Sequence, residues 1–138
     1  MALIAFSISS CGSDSENIPA FANPNAPEYR AVRFFDALYN DKNLGKAQQY
    51  STKKLSRILR SYGTVRGYTR YVLNLQIDPG VELRIDRSLS QVSRGDPNIA
   101  YVNILFDGTH NNDTVKDVRR VKFVKAEGGW LIDAVEED

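Results

Sequence analysis

One cysteine and one histidine limit what this 138-residue chain can catalyse or coordinate. Cys11 has no second cysteine for an intrachain disulfide, and with His110 as the only imidazole, zinc sites rich in Cys and His are excluded. The unperturbed pKa of His110, about 6.5, suits acid–base work near neutral pH. Its neighbours Thr109, Asn111, Asn112 and Asp113 read as turn residues, so the expectation is an exposed hairpin tip. Asp107, His110 and Asp113 could in principle share a cation, but this is ordinary loop composition and no metal ligand is assigned. Gly63 and Gly67 lie in or after a helical pattern and lack the Lys and Ser or Thr of a phosphate loop. No cofactor is implied.

The sulfur of Cys11 carries more information. Residues Met1 to Ser10 are uncharged and too few to cross a bilayer, which takes about 20 apolar residues. They have the features of the apolar part of a secretory signal. Ile8-Ser9-Ser10-Cys11 resembles the bacterial lipobox, whose cysteine is diacylated on sulfur and becomes the new N-terminus. Gly12 to Asn17 is the polar tether that such a protein needs. No basic residue precedes Arg30, so the translation start is expected upstream of Met1 or the chain is trimmed. The alternative is a buried free thiol in an N-terminal strand. The lipobox resemblance implies a signal peptide at 1–10, a lipidated Cys11 with linker at 11–26, and a domain at 27–138. It also implies a lipoprotein of the cell envelope, anchored to a membrane facing the periplasm, with Gly12 in place of an Asp favouring the outer membrane.

Eighteen Lys and Arg against seventeen Asp and Glu give a net charge of +1, which argues for no bulk attraction to nucleic acid or acidic lipid. The local exception is residues 51–77, where Lys53, Lys54, Arg57, Arg60, Arg66 and Arg70 occur without an acidic residue. Lys53, Arg57 and Arg60 share one helical face, which is either a solvated surface or a contact with lipid phosphates, lipopolysaccharide or an acidic partner. Nucleic acid is not an expected partner.

The elements that must hold these residues follow from periodicity. Asn25 as cap, Pro27 in the first turn and Glu28 predict a helix placing Ala31, Phe34, Phe35 and Leu38 on one side. Val32 and Tyr39 fall at its edge, and Arg33, Asp36 and Asn40 face away. Asn40 to Asn43 ends it. Leu44, Ala47 and Tyr50 mark a short second helix, and Ser51 or Thr52 caps a third bearing Leu55, Ile58, Leu59 and Tyr62. Gly63 and Gly67 interrupt that third helix, and Val65 to Leu73 fits helix or strand equally. From Val81 the period becomes two, predicting strands from Val81, at Ile99–Phe106, Val115–Lys125 and Trp130–Val135, separated by turns at 107–113 and 127–129. Helices followed by hairpin-linked strands predict an α+β fold, helices packed on a curved antiparallel sheet of about four strands.

Phe34-Phe35-x-x-Leu38-Tyr39, the short helix after Asp41-Lys42-Asn43, the third helix and the terminal Gly128-Gly129-Trp130-Leu131-Ile132-Asp133 resemble the nuclear-transport-factor-two-like, or cystatin-like, cone-shaped roll. Small bacterial lipoproteins of unknown function carry such a domain after a lipobox. The resemblance implies a pocket between helices and sheet, which some members use for catalysis and others fill with side chains. The residue types of the isomerising members, a carboxylate base with a Tyr donor, exist here as Asp36, Tyr39, Tyr50, Tyr62 and Asp133 but do not map onto that set, and no catalytic residue is assigned. Phe34, Phe35, Leu38, Leu59, Phe123 and Ile132 are expected in the core, with Tyr39, Tyr62, Tyr68 and Tyr71 as ligand-pocket or rim residues. The resulting expectation is a non-enzymatic binding module for a small apolar ligand or an envelope protein, and homodimers occur among its relatives. The alternative is a small hydrolase or isomerase using a pocket carboxylate and Tyr.

Overall fold

Helix α1 (Pro27–Tyr39) is laid down by Pro27, whose fixed φ suits a first helical position, and by apolar residues at helical spacing. The computed structural model describes residues 17–18, 22–92, 95–127 and 129–137. The α1 cap is Ala26 rather than the expected Asn25: Asn25 N–H is tied to the Asn23 side chain, and the Ala26 carbonyl accepts from Tyr29 and Arg30. Asn43 caps α2 (Leu44–Gln49) by accepting from Lys46 N–H, and Thr52 caps α3 (Lys53–Tyr62) by accepting from Leu55 N–H at 3.2 Å. Gly63, at φ 76°, closes α3 in the left-handed conformation that costs glycine nothing. Gly67, expected as an interruption, lies inside α4 (Val65–Tyr71), which Thr64 caps. The segment open to either structure is therefore helix as far as Tyr71.

Four strands follow: β1 (Glu82–Val92), β2 (Ile99–His110), β3 (Asp113–Ala126) and β4 (Gly129–Glu137). They pair antiparallel in the order β1-β2-β3-β4, so the chain is α+β, with N-terminal helices contacting a four-strand sheet. The predicted seven-residue turn at 107–113 is only two residues long. Asn111 and Asn112 both take positive φ, 53° and 73°, as a tight hairpin requires and as asparagine tolerates, so the ladder runs on to His110↔Asp113. Gly108 is forced by packing, since a Cβ there would stand 2.6 Å from Ile77 Cγ2.

Alternation along the strands sorts side chains onto two faces. Leu83, Ala100, Val102, Ile104, Phe106, Val121, Phe123 and Ile132 are buried with Phe34, Phe35 and Leu38 of α1. Phe35 meets Phe106 edge-to-face at a centroid distance of 4.8 Å, with Phe34 and Tyr39 adding further edge-to-face contacts. Burial of each such side chain contributes about 1.5–3 kcal/mol. Val32 and Tyr39, expected at the edge of α1, are buried too. So is Asp36, expected to face solvent: Asn40 donates to its carboxylate, and so does Asn17 from the preceding segment. The helices are stitched to the sheet at Ile132, whose N–H donates to Tyr50 O and whose carbonyl accepts from Thr52 N–H.

Candidate functional site

The register places Arg84, Leu105 and Val118 directly abreast, with Asp107 and Lys116 abreast in the next row but one. These alternate with the buried Leu83 and Phe106, so they occupy the sheet face turned away from the helices. They line a groove of about 680 Å3, completed by Phe106, Asp117 and Arg119. Every lining residue comes from β1, β2 or β3: Phe106, Asp117 and Arg119 belong to the inner-face set, and Arg84, Leu105, Asp107, Lys116 and Val118 to the opposite one. Leu105 and Val118 supply an apolar floor. Arg84 and Lys116 supply exposed cations, Arg84 already ion-paired with Glu82 at 3.1 Å. The volume falls within the range that holds a small molecule.

Beneath the groove lies a buried charged residue absent from the sequence-based candidates. Arg119 donates through Nε and a terminal nitrogen to Asp117 Oδ2, at 3.1 and 2.9 Å, and through the other terminal nitrogen to Leu73 O. Asp117 Oδ1 accepts from Val118 N–H at 2.8 Å, so both of its oxygens are engaged. The signal was present in β3: counting back in twos from Phe123 and Val121 puts Arg119 and Asp117 on the inner face. Tyr39 is close by, and its hydroxyl donates to Leu75 O. Burial pushes the Tyr39 phenol above the ordinary tyrosine range, with Arg119 opposing part of the shift, and burial does the same to Tyr68. Both phenols stay protonated near neutral pH.

The four tyrosines expected at a pocket or rim are not brought together. Tyr39 and Tyr68 are core residues, whereas Tyr62 and Tyr71 are exposed and stack on each other at 6.5 Å. None of the four lines the groove. Lys53, Arg57 and Arg60 are exposed along α3, away from the buried Leu55 and Leu59. Lys54 reaches back to Asp133 at 3.0 Å. Burial alone would raise the Asp133 carboxyl, but hydrogen bonds from Lys54 and Thr52, together with the nearby Lys122, hold it below the usual range.

His110 is the last residue of β2, at the tip of the β2–β3 hairpin beside the two-residue turn, and its Nδ1 lies 3.3 Å from Asp78 Oδ1. Among the described residues no group of three or more His, Cys, Asp or Glu is placed to hold a metal ion, and no helix is long and apolar enough to cross a membrane. Cys11, the Ile8–Ser10 motif before it and the signal segment 1–10 lie outside the described residues. The nearest described part of the linker is Asn17 and Ile18. Asn17 donates to Asp36 and Val81 O and accepts from Leu83 N–H, while Ile18 packs against the core. The fold and these sites define a small α+β domain with a groove lined by β1, β2 and β3. Comparison with models of protein families gives no match, and comparison with curated proteins gives none either.

Proposed function

We propose that this chain is a lipid-anchored cell-envelope protein, held through Cys11, whose domain is a non-enzymatic binding module of the cystatin-like roll type. The observation that carries the reading is the contrast between a filled interior and an open groove. The space between helices and sheet is occupied by Phe34, Phe35, Tyr39, Tyr68 and Phe106. Asp117 has both oxygens committed, which leaves it poorly placed to take a proton, and Asp36, buried on α1, accepts from Asn17 and Asn40. The groove over Leu105 and Val118 suits a small ligand with an apolar body and an acidic end directed at Arg84 and Lys116.

Two measurements test the proposal. Mass spectrometry of the membrane-extracted protein is expected to find a diacylated N-terminal Cys11; an unmodified thiol there overturns the anchor. Native mass spectrometry of the same preparation is expected to show a co-purifying small molecule that Val118→Trp, which fills the groove, removes. Retention of that molecule in Val118→Trp, or its absence from the parent protein, overturns the groove as a binding site.

A further inference from the structure

The large apolar residues exposed among the described ones, Tyr62, Tyr71 and Val72, all lie where α3 meets α4 and just beyond. Tyr62 and Tyr71 stack at 6.5 Å with their planes 20° apart. The Arg70 guanidinium sits 5.5 Å from the Tyr71 centroid. Tyr68 and Thr69 turn into the core, so α4 presents Arg66, Arg70 and Tyr71 outward. At Gly67 an added Cβ would come 3.0 Å from Tyr62 O, so the start of α4 abuts the end of α3, consistent with the two rings forming one patch. No acidic residue occurs from 51 to 77, and the exposed Lys53, Arg57 and Arg60 extend the positive field along α3.

Apolar rings with polar tips, bordered by arginines on a stretch of chain that carries no acid, match the chemistry of a phospholipid headgroup layer. Tyrosine settles there because its ring is apolar and its hydroxyl wet, and arginine pairs with phosphate through a planar fork. We propose that the α3–α4 patch seats the domain on an anionic phospholipid surface, with Tyr62, Tyr71 and Val72 in the headgroup layer and Arg66 and Arg70 on lipid phosphates. This partly rests on the membrane anchor proposed above, which puts such a surface at hand. Asn17 is fixed to Val81 and Leu83, and the six residues from Cys11 to Asn17 reach no more than about 20 Å, so an anchored domain stays near the bilayer.

The test uses the full chain carrying Cys11→Ser, which has no acylation site, in co-sedimentation with vesicles of equal parts phosphatidylglycerol and phosphatidylcholine. Binding is expected, and much less to phosphatidylcholine alone. Arg66→Gln with Arg70→Gln is expected to lower the partition coefficient roughly 30-fold, and Tyr62→Ser with Tyr71→Ser roughly tenfold, with circular dichroism unchanged. Absence of binding overturns the patch, as does binding that survives the tyrosine changes, which returns the attraction to Lys53, Arg57 and Arg60. Preference for a soluble acidic polypeptide such as polyglutamate over the vesicles overturns it in favour of an acidic protein partner. Because this protein lacks the acyl chain, vesicle binding stands or falls separately from the anchor, which mass spectrometry reads.

Discussion

Tyr39 and Tyr68 are 2% and 1% exposed, whereas Tyr62 and Tyr71, which belong to the same run of helices, are 43% and 67% exposed. On α4 the two kinds stand three residues apart. Tyr68 packs into the core, while Tyr71 is the last residue of the helix, its exposed ring stacked on Tyr62 with Arg70 beside it. Residue type determined that each ring could serve either packing or recognition. The element facing it decided which. The buried pair therefore belongs to the stability of the domain, and the exposed pair is free to meet a partner at little structural cost.

Arg119 offers the largest break in this contrast. It braces the buried tyrosine region by joining β3 to the Leu73 carbonyl, and its Asp117 partner is only partly exposed. Arg119→Ala leaves Asp117 Oδ2 and the buried Leu73 carbonyl without this donor and is expected to cost about 2–4 kcal/mol, measured by urea denaturation. A loss under about 1 kcal/mol would show that the pair does not organise this region.

Tyr39→Phe is a milder cut. It removes the hydroxyl that donates to Leu75 O while keeping the ring against Phe106, and is expected to cost about 1–3 kcal/mol. Tyr71→Phe in the exposed pair is expected to stay within about 0.5 kcal/mol of the parent protein. Equal losses from the two changes would erase the distinction between the pairs.

Much of this architecture was legible beforehand. The helical spacing of Phe34, Phe35 and Leu38 and the alternation after Val81 predicted the α+β order and most of the core. Local patterns were less informative where tertiary partners decide the outcome. The Asn111-Asn112 pair can make a two-residue turn, but only the pairing of the flanking strands selects it over a longer loop. Asp36 has the polarity of a solvent-facing residue and is covered because Asn17 and Asn40 supply its hydrogen bonds. The groove was not foreseeable from composition: it depends on Leu105 and Val118 facing each other across two strands, a fact of register. Arg119 was readable from the alternation of β3, but its charge argued for the surface and its carbonyl partner lies 46 residues away.

A further modest effect concerns the tie between exposed α3 and the sheet. Thr52 Oγ1 accepts from Leu55 N–H to cap α3 and donates to Asp133 Oδ1, while Lys54 pairs with Asp133 Oδ2. Asp133→Asn keeps the shape but removes the charge, and is expected to cost about 0.5–1 kcal/mol at neutral pH, since Lys54 is largely solvated and water screens the pair. The folded carboxyl titrates below its unfolded value of 3.8, so its stabilisation is present above that pH and is lost as pH falls through the lower folded value. The stability difference between parent and Asp133→Asn should therefore narrow below about pH 4 and also shrink in high salt. A difference that persists unchanged into acid would mean that Asp133 acts by packing, and that α3 is held to the sheet by Leu55, Leu59 and the Ile132 hydrogen bonds alone.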